Sequence, residues 1–467
     1  MQFPTSDAAL SSGPGRRVPP TLGGSTFALA ALFSMNLLNY VDRYSFFAVG
    51  KHIQDDLGIS NFRYGVLSAS FMLVYTFVSP LMGWLGDRYN RRVLLASGVG
   101  LWSVATVGTA SSVGFADMFL WRALLGVGEA TYGVIAPALL ADLFPPKDRG
   151  RVMGLYFLAL PLGGALGYGI GGWVADAMSW RAAFWVVGLP GLIAAIAGLF
   201  LHDPGRGASE GHAAGEVDRP SFSEYLDLFR TPTFLYNTAG MAAVTFATGA
   251  YAAWGSTFYQ TVRGLTAKEA GLWIGALTAG AGLFGIAFGT WAADALLRVT
   301  RRAYLLFSCL AVAIAAPFGL AALLDPERAT SLSLLFVAMV MMAAVLGPTN
   351  TVTAEVVPPN RRAAGYAVSI FLLHLFGDIS SPILIGWVAD FFGRPAVASS
   401  TLGRLSAAIG AGTVGETNLT IGMLSVIPVL AMGAFFFLLG SRHLPADTER
   451  ARRLGGPRTS VTTSPVH

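Results

Sequence analysis

The chain has 467 residues, of which 54 % are hydrophobic and only 12 % charged, with a formal net charge of +5 and a mean hydropathy of +0.58. A soluble chain of this length needs far more charge to cover its surface, so the composition excludes an ordinary soluble enzyme and predicts one membrane-embedded unit in two halves. The single cysteine, Cys309, excludes an internal disulfide and a cysteine metal cluster, and the six scattered histidines lack the spacing of a zinc site.

Residues 1–25 are polar, with Pro, Gly, Arg16 and Arg17, and lack the short apolar core and small-residue cleavage site of a signal peptide, so they read as a tail. Apolar runs long enough to cross a bilayer need about 20 residues. They fall near 26–50, 63–86, 93–112, 116–143, 151–176, 181–201, 232–260, 267–296, 302–324, 329–356, 361–391 and 418–440, which makes twelve spans. Residues 202–231, rich in Gly, Asp, Glu, His and Pro, form a flexible linker between two bundles at 26–201 and 232–440, and 441–467 form a second tail. The segment 393–417 reads as a long outer loop without clear structure.

With the N-terminus inside, 21 of the 31 Lys and Arg fall on the inner side and 8 on the outer, and Arg43 and Arg122 lie within spans. Positive charge is retained on the cytoplasmic side, so both termini are expected in the cytoplasm. The basic residues lie between apolar stretches rather than on one face, so the net charge does not imply nucleic acid.

Charges at membrane depth are costly and mark function by default. Asp42 and Arg43 lie late in the first span, in Leu37-Leu38-Asn39-Tyr40-Val41-Asp42-Arg43-Tyr44; Arg122 and Glu129 lie in the fourth. Seven residues make about two turns, so Arg122 and Glu129 share a helix face, whereas Asp42 and Arg43 diverge by about 100°. One of that adjacent pair could face a cavity while the other reaches a neighbouring helix. A buried carboxylate beside a cation keeps its charge, and removal of the cation favours the neutral acid. Asp42 and Glu129 are therefore the proton-coupling candidates. The competing reading is a static ion pair joining the first and fourth spans; buried pairs are poor stabilisers compared with apolar packing.

In the eleventh span His374 and Asp378, four apart, stack on one face beside Gly377 and Pro382 and could relay a proton, contact a headgroup or simply lock helices together. A His–Asp pair could also suggest an intramembrane lipid enzyme, but no GxSxG elbow supplies a nucleophile. Offsets near 207 and 213 place Gly249, Leu335 and Met342 of the second half opposite Asp42, Arg122 and Glu129. A cavity polar on one wall and apolar on the other suits an amphiphile, its headgroup toward Arg43 and Arg122, its chain toward Phe246, Tyr251, Trp254, Met341 and Met342. Such residues are also ordinary core or lipid-facing positions.

One pattern recurs at four helix ends: Gly83-Trp84-x-x-Asp87, Gly172-Trp173-Val174-Ala175-Asp176, Gly289-x-Trp291-x-x-Asp294 and Gly386-Trp387-Val388-Ala389-Asp390. They close spans 2, 5, 8 and 11, with ends alternating within each half, as an inverted three-plus-three repeat requires. The second and fourth copies are offset by 214, and Pro145-Pro146 and Pro358-Pro359 by 213.

The loop Gly83-Trp84-Leu85-Gly86-Asp87-Arg88-Tyr89-Asn90-Arg91-Arg92 resembles the G-x-L-x-D-R-x-G-R-R/K signature of the major facilitator superfamily, with Asn90 where Gly is usual. Asn tolerates a left-handed turn. The resemblance extends over essentially the whole chain and implies an all-α membrane fold of twelve helices in two six-helix halves. It also implies a gate of Asp87, Arg91 and Asp142 that holds the outward-open state. Within the superfamily three places resemble the Spinster group of lysolipid and sphingolipid transporters: Asn39-Tyr40-Val41-Asp42-Arg43, Arg122-x3-Gly126-x-Gly128-Glu129-Ala130, and His374-Leu375-Phe376-Gly377-Asp378-Ile379-Ser380-Ser381-Pro382. Hexuronate-type organic-anion symporters share the first two; the third separates the groups. The expectation is a proton-coupled carrier of amphiphilic lipids in the cell membrane, a bacterial inner membrane, with protons and membrane lipids as partners, no nucleic acid, no cofactor and no need for more than a monomer. A proton symporter of small organic anions is the alternative.

Overall fold

The structure, a computed structural model, describes residues 22–205, 228–358 and 361–455. Most of the predicted linker, including Ser209, both tails' outer parts and Pro359 lie outside the described residues. Among the described residues twelve long helices follow in chain order: α1 (Leu22–Ala48), α2 (Asn61–Gly86), α3 (Arg91–Ala110), α4 (Phe115–Leu143), α5 (Lys147–Ala177), α6 (Trp180–Gly198), α7 (Pro232–Thr261), α8 (Ala267–Leu297), α9 (Ala303–Leu324), α10 (Arg328–Val356), α11 (Ala364–Gly393) and α12 (Leu419–Leu454). Ten are long and apolar enough to cross a membrane; α1 and α7, of 27 and 30 residues, fall below that apolarity. Their polar residues explain it: Asn36, Asn39, Asp42 and Ser45 on α1, and Asn237, Thr238, Ser256, Thr257 and Gln260 on α7 are all buried among other helices rather than offered to lipid.

Helix starts follow the sequence. Ser60 Oγ accepts from Arg63 N (3.4 Å), Ser179 Oγ from Ala182 N (3.1 Å), and Thr266 and Glu269 form a reciprocal capping box on α8. Asn90 is not in the left-handed region expected for a Gly substitute. It is extended at φ −65°, and its side chain accepts from Arg92 N (3.1 Å) to cap α3, a role in which Asn excels.

The two halves repeat one packing plan. In the first, α1 lies on α5, α2 on α4, and α3 between α4 and α6; in the second, α7 lies on α11, α8 on α10, and α9 between α10 and α12. Across the halves α2 packs on α11 and α5 on α8. The start of α1 and the end of α12 lie at one end of this bundle, the terminal end; the opposite is the far end.

Three boundaries differ from expectation. A short helix, Gly50–Leu57, follows α1 at the far end. The 393–417 loop is ordered by two short helices, Pro395–Ala398 and Thr401–Ala408, and an isolated bridge between Val414 and Thr417. The last helix continues through Gly455 rather than ending near 440, because Ser441, Leu444, Asp447 and Ala451 keep a buried face.

The far end is closed. Asp390 accepts from the backbone N–H groups of Asn61 (3.1 Å) and Phe62 (2.8 Å) at the start of α2, and from Asn61 Nδ2 (2.7 Å). Asp176 accepts from Lys268 N (2.8 Å) at the start of α8. The glycines of the same two repeats make this possible: a Cβ on Gly386 would stand 2.3 Å from the Asn61 carbonyl oxygen, and one on Gly172 2.2 Å from that of Ala267. Each Gly-Trp-Val-Ala-Asp segment thus brings one helix against the other half and caps the helix it meets.

Candidate functional site

The four membrane-depth charges come together in the first half, where α1 passes α3 and α4. Arg43 Nη2 donates to Glu129 Oε2; Arg43 is 16 % exposed and Glu129 1 %. The guanidinium also lies over the rings of Tyr40 (5.2 Å) and Phe71 (4.8 Å). Arg122, 1 % exposed, lies over Phe46 (3.9 Å) and over the same Phe71 (4.8 Å), so one aromatic ring serves two cations. Its Nε and Nη2 have no hydrogen-bond partner among the described residues. Asp42, 2 % exposed, turns the other way and meets the Thr106 hydroxyl of α3. The adjacent pair on α1 therefore diverges as its 100° separation requires.

The second half brings its polar pair from another helix. His374 Nδ1 and Asp378 Oδ2 are 2.8 Å apart, each side chain about one quarter exposed. They do not sit on an α-helical turn. Residues His374–Asp378 form a π-helical turn, closed by Ile379 N donating to His374 O (3.0 Å), and this widened turn interrupts the α-helical winding of α11. The His374 ring meets Tyr75 of α2 edge-on at 6.3 Å. A Cβ on Gly249 would lie 2.9 Å from Asp378 Oδ1. The position opposite Asp42 in the repeat is thus glycine because α11 places its own carboxylate there.

Other sequence-derived assignments move. Phe246 (5 % exposed), Met342 (1 %), Tyr251 and Trp254 are buried in the closed packing, and Trp254 meets Tyr64 of α2 edge-on across the seam between the halves (5.0 Å). Trp254 donates its indole N–H to Pro382 O (3.1 Å). At the terminal end Arg91, 4 % exposed, pairs with Asp142 (2.6 Å) and with Asp203 (2.5 Å), which lies beyond α6 at the start of the expected linker. Asp87 is exposed and absent from this cluster. Both bonds of Arg91 are formed while the far end is closed. Thr106, Phe71 and Tyr75 were missed: isolated Thr, Phe and Tyr in an apolar helix carry no signal that separates them from core.

A family model described as Major Facilitator Superfamily matches residues 32–377. Protein spinster of Drosophila melanogaster is 31 % identical over 78 % of this chain, which spans 62 % of that protein's length; spinster homolog 1 of Homo sapiens is 34 % identical over 79 % of the chain and 74 % of its own. Spinster homolog 3 of Danio rerio is 31 % identical over 94 % of the chain and 90 % of its own. Among solved structures, a bacterial homolog to the human lysosomal transporter Spinster, in an inward-facing and unoccupied conformation, superposes with a TM-score of 0.78 at 23 % identity, covering 91 % of this chain and 99 % of that one. A D-xylose-proton symporter gives 0.68 at 16 %, covering 88 % and 96 %. The chain belongs to the major facilitator superfamily and, within it, to the Spinster family. It is a multi-pass membrane transporter.

Proposed function

We propose that this transporter moves lysolipid- or sphingolipid-like amphiphiles by alternating access, coupled to protons carried by Asp42 with Glu129 as partner. The observation that carries the reading is Arg122, buried at membrane depth with two guanidinium nitrogens free of hydrogen-bond partners among the described residues. A buried cation in that position is stabilised by an incoming anion, and a phosphate matches the guanidinium fork. Arg43 and Arg122, with His374 and Asp378 opposite, then form the headgroup subsite. Glu129 competes with the substrate for Arg43, so substrate arrival loosens the ion pair and favours protonation of the carboxylate set.

The acyl chain is assigned to the α2–α11 seam instead of Phe246 and Met342. Phe77 of α2 (58 % exposed) meets Phe371 of α11 (37 % exposed) edge-on at 5.8 Å, beside Tyr75 and His374, with Leu73 and Leu81 exposed on the same helix. With both termini in the cytoplasm, the closed far end makes this the inward-facing form. The protein then acts in the cell membrane as a monomeric carrier rather than an enzyme, without a cofactor.

The test is uptake in proteoliposomes under an imposed pH gradient, labelled lysophospholipid against labelled hexuronate. Lysophospholipid uptake is expected, lost in Asp42→Asn and impaired in Arg43→Lys although the charge is kept. Phe77→Gln is expected to weaken long-chain substrates more than short ones. Saturable hexuronate uptake without chain-length dependence would replace the lipid reading with an organic-anion symporter.

A further inference from the structure

The Thr106 hydroxyl stands between two oxygens. Its Oγ1 is 2.9 Å from the Trp102 carbonyl oxygen one turn back, and it also meets Asp42 Oδ2. A hydroxyl has one proton to donate and can accept as well. Both contacts are full hydrogen bonds only when the Asp42 carboxyl brings a proton of its own. The remaining surroundings agree. Asp42 is 2 % exposed and its Oδ1 has no hydrogen-bond partner among the described residues. An ionised carboxylate so placed carries a large desolvation cost, which the neutral acid avoids.

The charges near Asp42 are Glu129 and Arg122 on α4 and Arg43 on its own helix. Arg43 is engaged by Glu129, and Arg122 lies on the Phe46 and Phe71 rings. The neighbouring α5 and α6 carry no charged residue at this depth, and α7 carries none at all.

We infer that Thr106 is the positioning residue that reads the proton on Asp42: in this far-end-closed form neutral Asp42 donates to Thr106 Oγ1, which donates onward to the Trp102 carbonyl. Loss of the proton forces Thr106 to turn its single hydrogen to the carboxylate and release Trp102, so the α1–α3 contact differs between the two protonation states. Glu129 is held by Arg43, and the two carboxyls have different partners. The inference deepens the proposed role of Asp42 and rests on it.

Infrared difference spectroscopy of the full chain in liposomes, titrated with pH, tests it without a substrate. The protonated-carboxyl C=O band that disappears in Asp42→Asn reports Asp42. In Thr106→Val the neutral acid loses its acceptor, and that band is expected to move to higher frequency. Thr106→Ser restores the hydroxyl and the wild-type frequency. If Thr106 meets Asp42 only when the carboxyl is ionised, valine raises the titration midpoint and leaves the frequency where it was; an unmoved frequency overturns the inference while leaving Asp42 as a proton carrier. Absence of any Asp42→Asn-sensitive band across the titration removes the proton from Asp42 and overturns both. Should valine disturb packing, the shape of the same band in Thr106→Ser and its change in Thr106→Ala give the sign independently.

Discussion

The two ends of the bundle carry the same sequence device and use it differently. At the far end, Asp176 and Asp390 each cross to the other half and cap the start of α8 or α2. At the terminal end, Asp87 is exposed, and Asp294 accepts a hydrogen bond from Tyr304 of its own half (3.1 Å). Four copies of one motif therefore act in pairs, one pair engaged in this conformation. A helix start presents N–H groups without intrahelical partners, so a carboxylate from the other half makes a bond that holds only while that end is closed. The difference between the ends is a record of which state the molecule occupies.

The strongest way to break the far-end closure is steric. Gly386→Val and Gly172→Val place carbon against backbone carbonyls at 2.3 and 2.2 Å, where nothing flexible can yield. Overpacking of about 1–3 kcal/mol shifts the population toward far-end-open forms by about 5- to 150-fold. Spin-label distances across the far end should lengthen and transport should fall; unchanged distances would show that the glycines do not govern closure. Each half should still fold, because both positions face the seam.

Removing the caps is milder. Asp390→Ala strips partners from two backbone N–H groups and the Asn61 side chain, whereas Asp176→Ala strips one. With lost caps costing about 0.5–2 kcal/mol, the shifts are about 2- to 30-fold, larger for Asp390. The same distance measurement checks the order, and equal effects would contradict it.

Asp87→Asn sharpens the comparison from the other end. Asp87 is exposed here, so the far-end-closed form should be as stable as wild type. If Asp87 caps a facing helix when the terminal end closes, its loss shifts the balance toward the far-end-closed form by about two- to fivefold. Distances between terminal helix ends that keep the wild-type distribution would refute a gating role.

The smallest effect belongs to the surface pair Arg181–Asp56 (2.5 Å), which ties the short 50–57 helix to α6. The hydrogen bond from Arg181 holds the Asp56 carboxyl below the usual carboxylate range. A lowered value in the fold means the contribution is present above the ordinary value of about 3.9 and is lost as pH falls through the lowered one. Because both groups are exposed, Asp56→Asn should cost less than about 1 kcal/mol at neutral pH and nothing in strong acid, as thermal unfolding at the two pH values would show.

Ten of the twelve long helices are legible from apolar runs of about 20 residues, α1 and α7 from the same runs broken by polar residues, and the sequence by itself also located the charges that had to be buried within them. The repeated Gly-Trp-x-x-Asp ends were visible too, as was the divergence of Asp42 from Arg43, which follows from helical geometry alone. Partner choice was decided by tertiary structure. Arg43 meets Glu129, Asp42 meets Thr106, and Arg91 finds Asp203 from beyond α6, since these contacts depend on how α1, α3, α4 and α6 rotate against one another. The same holds for Phe246 and Met342: period and composition cannot tell a helix face open to a cavity from one buried in packing. Asn90 became a cap rather than a left-handed turn for a related reason, because a side chain that can do either is settled by the helix it precedes.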